Sequence, residues 1–146
     1  HDNRPFLLVK LRTPVNRSGD GLRRWLDATG RSVSDCVLVY DDMALPRGTV
    51  RVRQRGSAGG HRGVASILTE FQTVDIPRVK IGVGNRDGTK LTAAQLLSPF
   101  PASEAPLMAE AVRTAIEEKL LETVALQRVI PAWANGPTSG QLRAGA

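Results

Sequence analysis

Hydrophobic and polar positions divide this chain into short apolar runs and helical stripes. Phe6-Leu7-Leu8-Val9-Lys10-Leu11 is nearly continuous in apolar character, which predicts a strand buried on both faces. Ser18-Gly19 opens a helix with Leu22, Trp25 and Leu26 on one core-facing stripe, and Gly30 ends it. Cys36-Val37-Leu38-Val39-Tyr40 predicts a second buried strand, and the strand-helix-strand order implies a parallel pair with Asp41-Asp42 at the second strand's carboxyl end. Leu45-Pro46-Arg47-Gly48 is turn chemistry, after which Thr49 to Arg55 alternates. Val50 and Val52 face one way; Arg51, Arg53 and Arg55 face the other. A glycine-rich loop, Gly56 to Gly63, leads into a helix with Val64, Ile67, Leu68 and Phe71 at helical spacing, and Arg78 to Gly84 predicts a further strand. After a polar turn at Asn85-Arg86-Asp87-Gly88, Ser98-Pro99-Phe100-Pro101 breaks regular structure. Ser103 is expected to cap a helix running through Leu120, with Pro131 its latest end. The stretch 131–146, rich in Gly, Pro, Ser and Ala, reads as a flexible or partner-bound tail.

At 146 residues and 41% hydrophobic content, the chain fits one compact domain over residues 1–130. No run approaches the ~18 consecutive apolar residues of a membrane helix, so no membrane partner is expected. The net charge is +6, and arginine supplies 16 of the 20 basic residues. Arginine favours bidentate contact with phosphate, which makes a nucleic acid the first candidate partner; a GC-rich coding sequence would produce the same excess. Cys36, the lone cysteine, reads as a small core residue in a reducing compartment. No Cys/His set has metal-ligand spacing, no Ser-His-Asp or Cys-His arrangement can be assembled, and no cofactor is implied.

Arg51, Arg53 and Arg55, together with Arg62, form a candidate basic surface for RNA; a solvated strand face would look the same. In the glycine loop, Gly59 and Gly60 let backbone N–H groups approach a phosphate at the start of the following helix, although a tight strand-helix turn accounts for them equally. The loop lacks the Gly-Lys-Ser/Thr of nucleoside triphosphate sites. His61 reads as a structural loop histidine, and Asp42 as a solvated neighbour of Asp41. Trp25 reads as core.

Three ordered stretches, Thr13-Pro14-Val15-Asn16-Arg17-Ser18-Gly19, Tyr40-Asp41-Asp42-Met43-Ala44-Leu45-Pro46-Arg47-Gly48 and Arg55-Gly56-Ser57-Ala58-Gly59-Gly60-His61-Arg62-Gly63, resemble the bacterial-type peptidyl-tRNA hydrolase family. Arg78-Val79-Lys80-Ile81-Gly82-Val83-Gly84 and Leu96-Leu97-Ser98-Pro99-Phe100 extend the resemblance. It implies an α/β domain with a mixed, mainly parallel sheet and helices on both sides, its opening strand and helix missing. It also implies hydrolysis of the ester between a peptide and a tRNA 3′ ribose, by water that a His activates. Asp41 matches the family's orienting carboxylate and Asn16 a substrate-positioning amide. As residues of this chain alone, Asp41 could be an ordinary turn Asp and Asn16 a helix-entry cap.

The family's catalytic His lies in a segment that precedes the matched stretches, and Pro14-Val15 and Arg62 stand where the family usually has Phe-Met and Asn. The expectation is therefore a binding protein without turnover, holding a tRNA acceptor end or ribosomal RNA in a translational assembly with protein partners. A mitochondrial or plastid matrix is compatible with this, as is the cytoplasm. The alternatives are an active hydrolase whose catalytic segment lies outside this sequence, and a protein-interaction module on the same fold.

Overall fold

The computed structural model describes residues Phe6–Thr123. Among these residues the contacts fall into two compact units, one running up to Arg31 together with Ser57–Gln72, the other of Ser32–Gly56 together with the chain from Thr73 onward.

In the first unit, a 3-10 turn (Val15–Arg17) runs into α1 (Ser18–Thr29), and α1 packs on α2 (Arg62–Phe71). Leu22, Leu26, Val64, Ile67 and Phe71 are buried, as their 3.6-residue spacing predicts, whereas Trp25 is only half-buried. Gly19 lets the two helices approach: its N–H donates to Ser66 Oγ at 2.9 Å, and a Cβ there would run into the Ser66 carbonyl. Arg23 spans the pair, donating to Glu70 at 3.0 Å with its guanidinium 4.2 Å from the centre of the Phe71 ring. Gly30, with φ 65°, closes α1 in the left-handed conformation, at the end where sequence reading places it.

The predicted strand at Phe6–Leu11 does not form. The segment has no strand partner among the described residues, with Leu7 and Leu8 61% and 68% exposed. Apolar character does not make a strand unless a neighbour takes its backbone hydrogen bonds, and no described residue does so. The expected parallel pairing of this run with the next strand is accordingly absent.

The second unit holds a mixed sheet of order β1-β3-β2, from β1 (Leu38–Pro46), β2 (Val50–Arg53) and β3 (Arg78–Gly84). β1 pairs parallel with β3, and β2 antiparallel with it. β1 starts two residues later than sequence reading places it and continues through Asp41 and Asp42 to Pro46, because β3 offers partners along that length. Its register shifts between Asp42 and Pro46, where β1 comes down over Gly82 and Gly84; a Cβ at either glycine would strike the carbonyl of Pro46 or of Met43.

Beyond β3, Asp87 closes a polar turn by accepting from the Thr89 N–H and hydroxyl at 3.0 and 2.7 Å, and those bonds hold its carboxyl below the usual range. A short helix α3 (Ala93–Leu97) carries a capping box between Thr92 and Gln95. α4 (Ala105–Arg113) continues into a π-helical stretch, Thr114–Leu120, which lies against β2 and β3. Met108, Ala111, Ala115 and Leu120 are buried there. Ser103 does not cap α4: the N-cap is Glu104, whose carboxylate instead pairs with Arg47 of the β1–β2 turn. The expected tail from 131 to 146, including Trp133, lies outside the described residues, as does His1.

Candidate functional site

β2 delivers the alternation that the sequence predicts, with Val50 and Val52 half-buried and Arg51 and Arg53 exposed. Arg55 falls beyond the end of the strand, where it pairs with Asp75 at 3.0 Å. The arginine row is therefore two strand residues plus one ion-paired neighbour. Arg53 donates to the Val52 carbonyl at 2.9 Å, while Arg51 makes no hydrogen bond or ion pair among the described residues.

Register places Arg51 opposite Lys80, and Lys80 beside Tyr40 on the other side. Partnered residues point to the same side of a sheet, so Arg51, Lys80, Tyr40 and Asp42 share one face. The Lys80 ammonium donates to Asp42 at 3.1 Å and lies 6.0 Å from the centre of the Tyr40 ring. Asp42 also accepts from the Ala44 N–H at 2.8 Å. Asp42 is thus a half-buried partner of Lys80 rather than a solvated bystander. Sequence reading missed Lys80 as a neighbour of Asp42, because only strand pairing shows which residues of β1 and β3 lie side by side.

Asp41, one residue on, belongs to the opposite face, where its register partner is Ile81. It is exposed and lies within β1, not just after it. β1 forms an outer edge of the sheet among the described residues, so the Asp41 carboxylate stands beside an open strand edge.

In the other unit, Asn16 sits exposed in the 3-10 turn ahead of α1. It does not cap that helix: the N-cap is Arg17, and no side chain satisfies it. The cap reading of Asn16 is set aside; its amide makes no hydrogen bond among the described residues.

The glycine loop enters α2 through a tight turn in which the His61 N–H donates to the Ala58 carbonyl at 3.0 Å. Gly59 and Gly60 take φ of 57° and 86°, conformations that favour glycine, and nothing occupies the space where their Cβ atoms would be. Arg62, exposed at the first position of α2, makes no hydrogen bond or ion pair among the described residues. His61 is the N-cap of α2: its Nδ1 accepts from the Val64 N–H at 3.2 Å. That bond engages the imidazole with the start of α2, the place where a helix leaves its first N–H groups unsatisfied. Replacing His61 by Ala should cost about 1 kcal/mol through loss of the cap, which thermal unfolding would read, with recovery in His61→Asn. Among the described residues no group of His, Cys, Asp or Glu could hold a metal ion, and no helix is long and apolar enough to cross a membrane.

The sequence model of the peptidyl-tRNA hydrolase family matches residues 1–135. This chain belongs to that family. It is 43% identical over 110 residues to the peptidyl-tRNA hydrolase of Synechocystis sp., covering 75% of this chain and 57% of that one. It is 37% identical to the Hydrogenobaculum enzyme of the same name, covering 75% and 58%. The chain thus spans little more than half the length of these curated relatives. The crystal structure of peptidyl-tRNA hydrolase from Acinetobacter baumannii superimposes with a TM-score of 0.60 at 20% identity, covering 79% of this chain and 62% of that one. The α/β fold with a mixed sheet is therefore the fold of the family, as the motifs imply.

Proposed function

We propose that this chain recognises peptidyl-tRNA, and that its described residues supply the RNA-holding part of a peptidyl-tRNA hydrolase together with the carboxylate that orients the base. The observation that carries this is the 43% identity to a relative named for that activity, in a chain of net charge +6. Arg51 and Arg62 are exposed cations with no partner among the described residues, and their guanidinium groups suit phosphate. Arg53, and the Gly59 and Gly60 backbone at the entrance to α2, extend the binding set; Arg55 joins it by exchanging Asp75 for a phosphate. His61 acts by holding the loop at the α2 terminus. Asn16 positions the substrate ester.

Hydrolysis needs a group that takes a proton from water as it attacks the ester carbonyl. In this reading Asp41 accepts a hydrogen bond from the imidazole that does so, fixing its tautomer and stabilising its charged form. His61, the one imidazole among the described residues, is committed to α2, so the base comes from outside them.

That commitment also favours a second reading, in which the protein binds a tRNA acceptor end or ribosomal RNA within a translational assembly and does not turn over. Two assays on the complete gene product separate the readings: binding of an acceptor-stem RNA, and release of the acyl group from an N-blocked aminoacyl-tRNA. Binding with release establishes the hydrolase, and binding without release the second reading. Absence of binding at low salt overturns both. Where RNA binds, Arg51→Ala should weaken it and reduce the slope of log K against log salt by about 1, which titrations at several salt concentrations would show.

A further inference from the structure

We propose that Arg78 is a positioning residue for RNA binding, a buried guanidinium that locks the neck from which the glycine loop departs. The proposal rests on the RNA-binding reading above. The segment Ser57–Gln72, which carries the loop and α2, leaves the sheet-bearing unit at Gly56 and returns to it at Thr73. Within that unit the two ends are tied together. The Gly56 N–H donates to the Val74 carbonyl at 3.1 Å, and Arg55 pairs with Asp75 at 3.0 Å. Gly56 does this with φ 146°, a backbone conformation that L side chains rarely adopt.

The Arg55–Asp75 pair is exposed and therefore a weak tie, since water competes for both groups. Arg78 is different. It opens β3, is 1% exposed, and donates from Nη2 to the Val74 carbonyl and from Nε to the Ile76 carbonyl, both at 3.2 Å. The Val74 carbonyl that receives Gly56 is thus also held by a charged donor. Filling space at this position would be easier for an apolar side chain of similar length, because a buried guanidinium must be desolvated. What it adds is a rigid fork that fixes two carbonyls of the returning chain relative to each other, and through Val74 the residue where the loop takes off.

The experiment combines amide hydrogen exchange of the full chain with titration of an acceptor-stem RNA, on wild type, Arg78→Met and Arg78→Lys. Loss of the fork should raise exchange at Gly56 and through residues 57–63 by about tenfold in Arg78→Met while leaving Val79–Val83 unchanged, because only the local opening becomes easier. RNA affinity should fall by about tenfold in parallel, and Arg78→Lys, which can reach one carbonyl but not both, should fall between. Should Arg78→Met fail to fold, Arg78→Lys alone decides by the same local pattern. Exchange that rises evenly across the sheet, or nowhere, overturns the proposal, as does a loosened neck with undiminished affinity. If wild type binds no RNA, the functional reading fails, while the exchange pattern still reports whether Arg78 holds the neck.

Discussion

Gly82→Ala should be among the most destabilising single substitutions in this chain, costing about 3 kcal/mol or more, because the methyl group meets backbone that cannot turn aside. A Cβ at Gly82 would collide with the Pro46 carbonyl and touch Leu45, which is itself buried in the core. Relief would require β1 to lift off β3 between Asp42 and Pro46, where its register already shifts. Gly84→Ala should behave alike, since the same stretch crosses above it through Met43 and Leu45. Urea unfolding should show a lowered midpoint with an unaltered slope for both variants. An unfolding free energy within about 0.5 kcal/mol of wild type would mean that the crossing is not held so closely. Gly30→Ala is the contrasting control: its Cβ has open space, and the φ of 65° alone opposes it, for a cost of about 1 kcal/mol.

If the complete gene product releases the acyl group from tRNA, Asp41→Asn should lower kcat by about a hundredfold or more while leaving RNA affinity unchanged. The amide keeps the shape of the side chain but cannot stabilise a charged imidazole as a carboxylate does. Asp42→Asn provides the discriminating comparison. Asp42 sits on the opposite face of β1 and binds Lys80, so its loss should lower stability and leave the chemical step nearly intact. Single-turnover rates measured beside thermal midpoints would separate the two carboxylates. An equal loss of rate in both variants would count against the orienting role of Asp41.

These predictions fall on residues that the sequence exposed to very different degrees. The two helices of the first unit were legible because an amphipathic helix satisfies its own backbone hydrogen bonds, so spacing and end signals suffice to announce it. Leu22 and Leu26, the Gly30 terminus, and Val64, Ile67 and Phe71 stand as the pattern places them. The alternation of β2 was equally visible, because each Val-Arg step turns a side chain to the other face.

Strand partners were not visible, since a strand's hydrogen bonds go to residues distant in sequence. That is why Phe6–Leu11, the most strand-like run in the chain, stays unpaired, and why β1 carries Asp41 and Asp42 inside it rather than at its end. The same cause hid the division of labour between the two aspartates. Only register shows that one faces Lys80 and the other the opposite side.

By itself the sequence determined the family, the two helices of the first unit, the basic character and the glycine loop, because each is written in local pattern or in ordered motifs. Tertiary structure alone decided which arginines have no partner among the described residues, that His61 serves α2, and that Arg78 is buried against the chain leading into β3. Those facts depend on which backbone carbonyl or carboxylate comes within about 3 Å of a side chain, and only the folded chain brings such groups together.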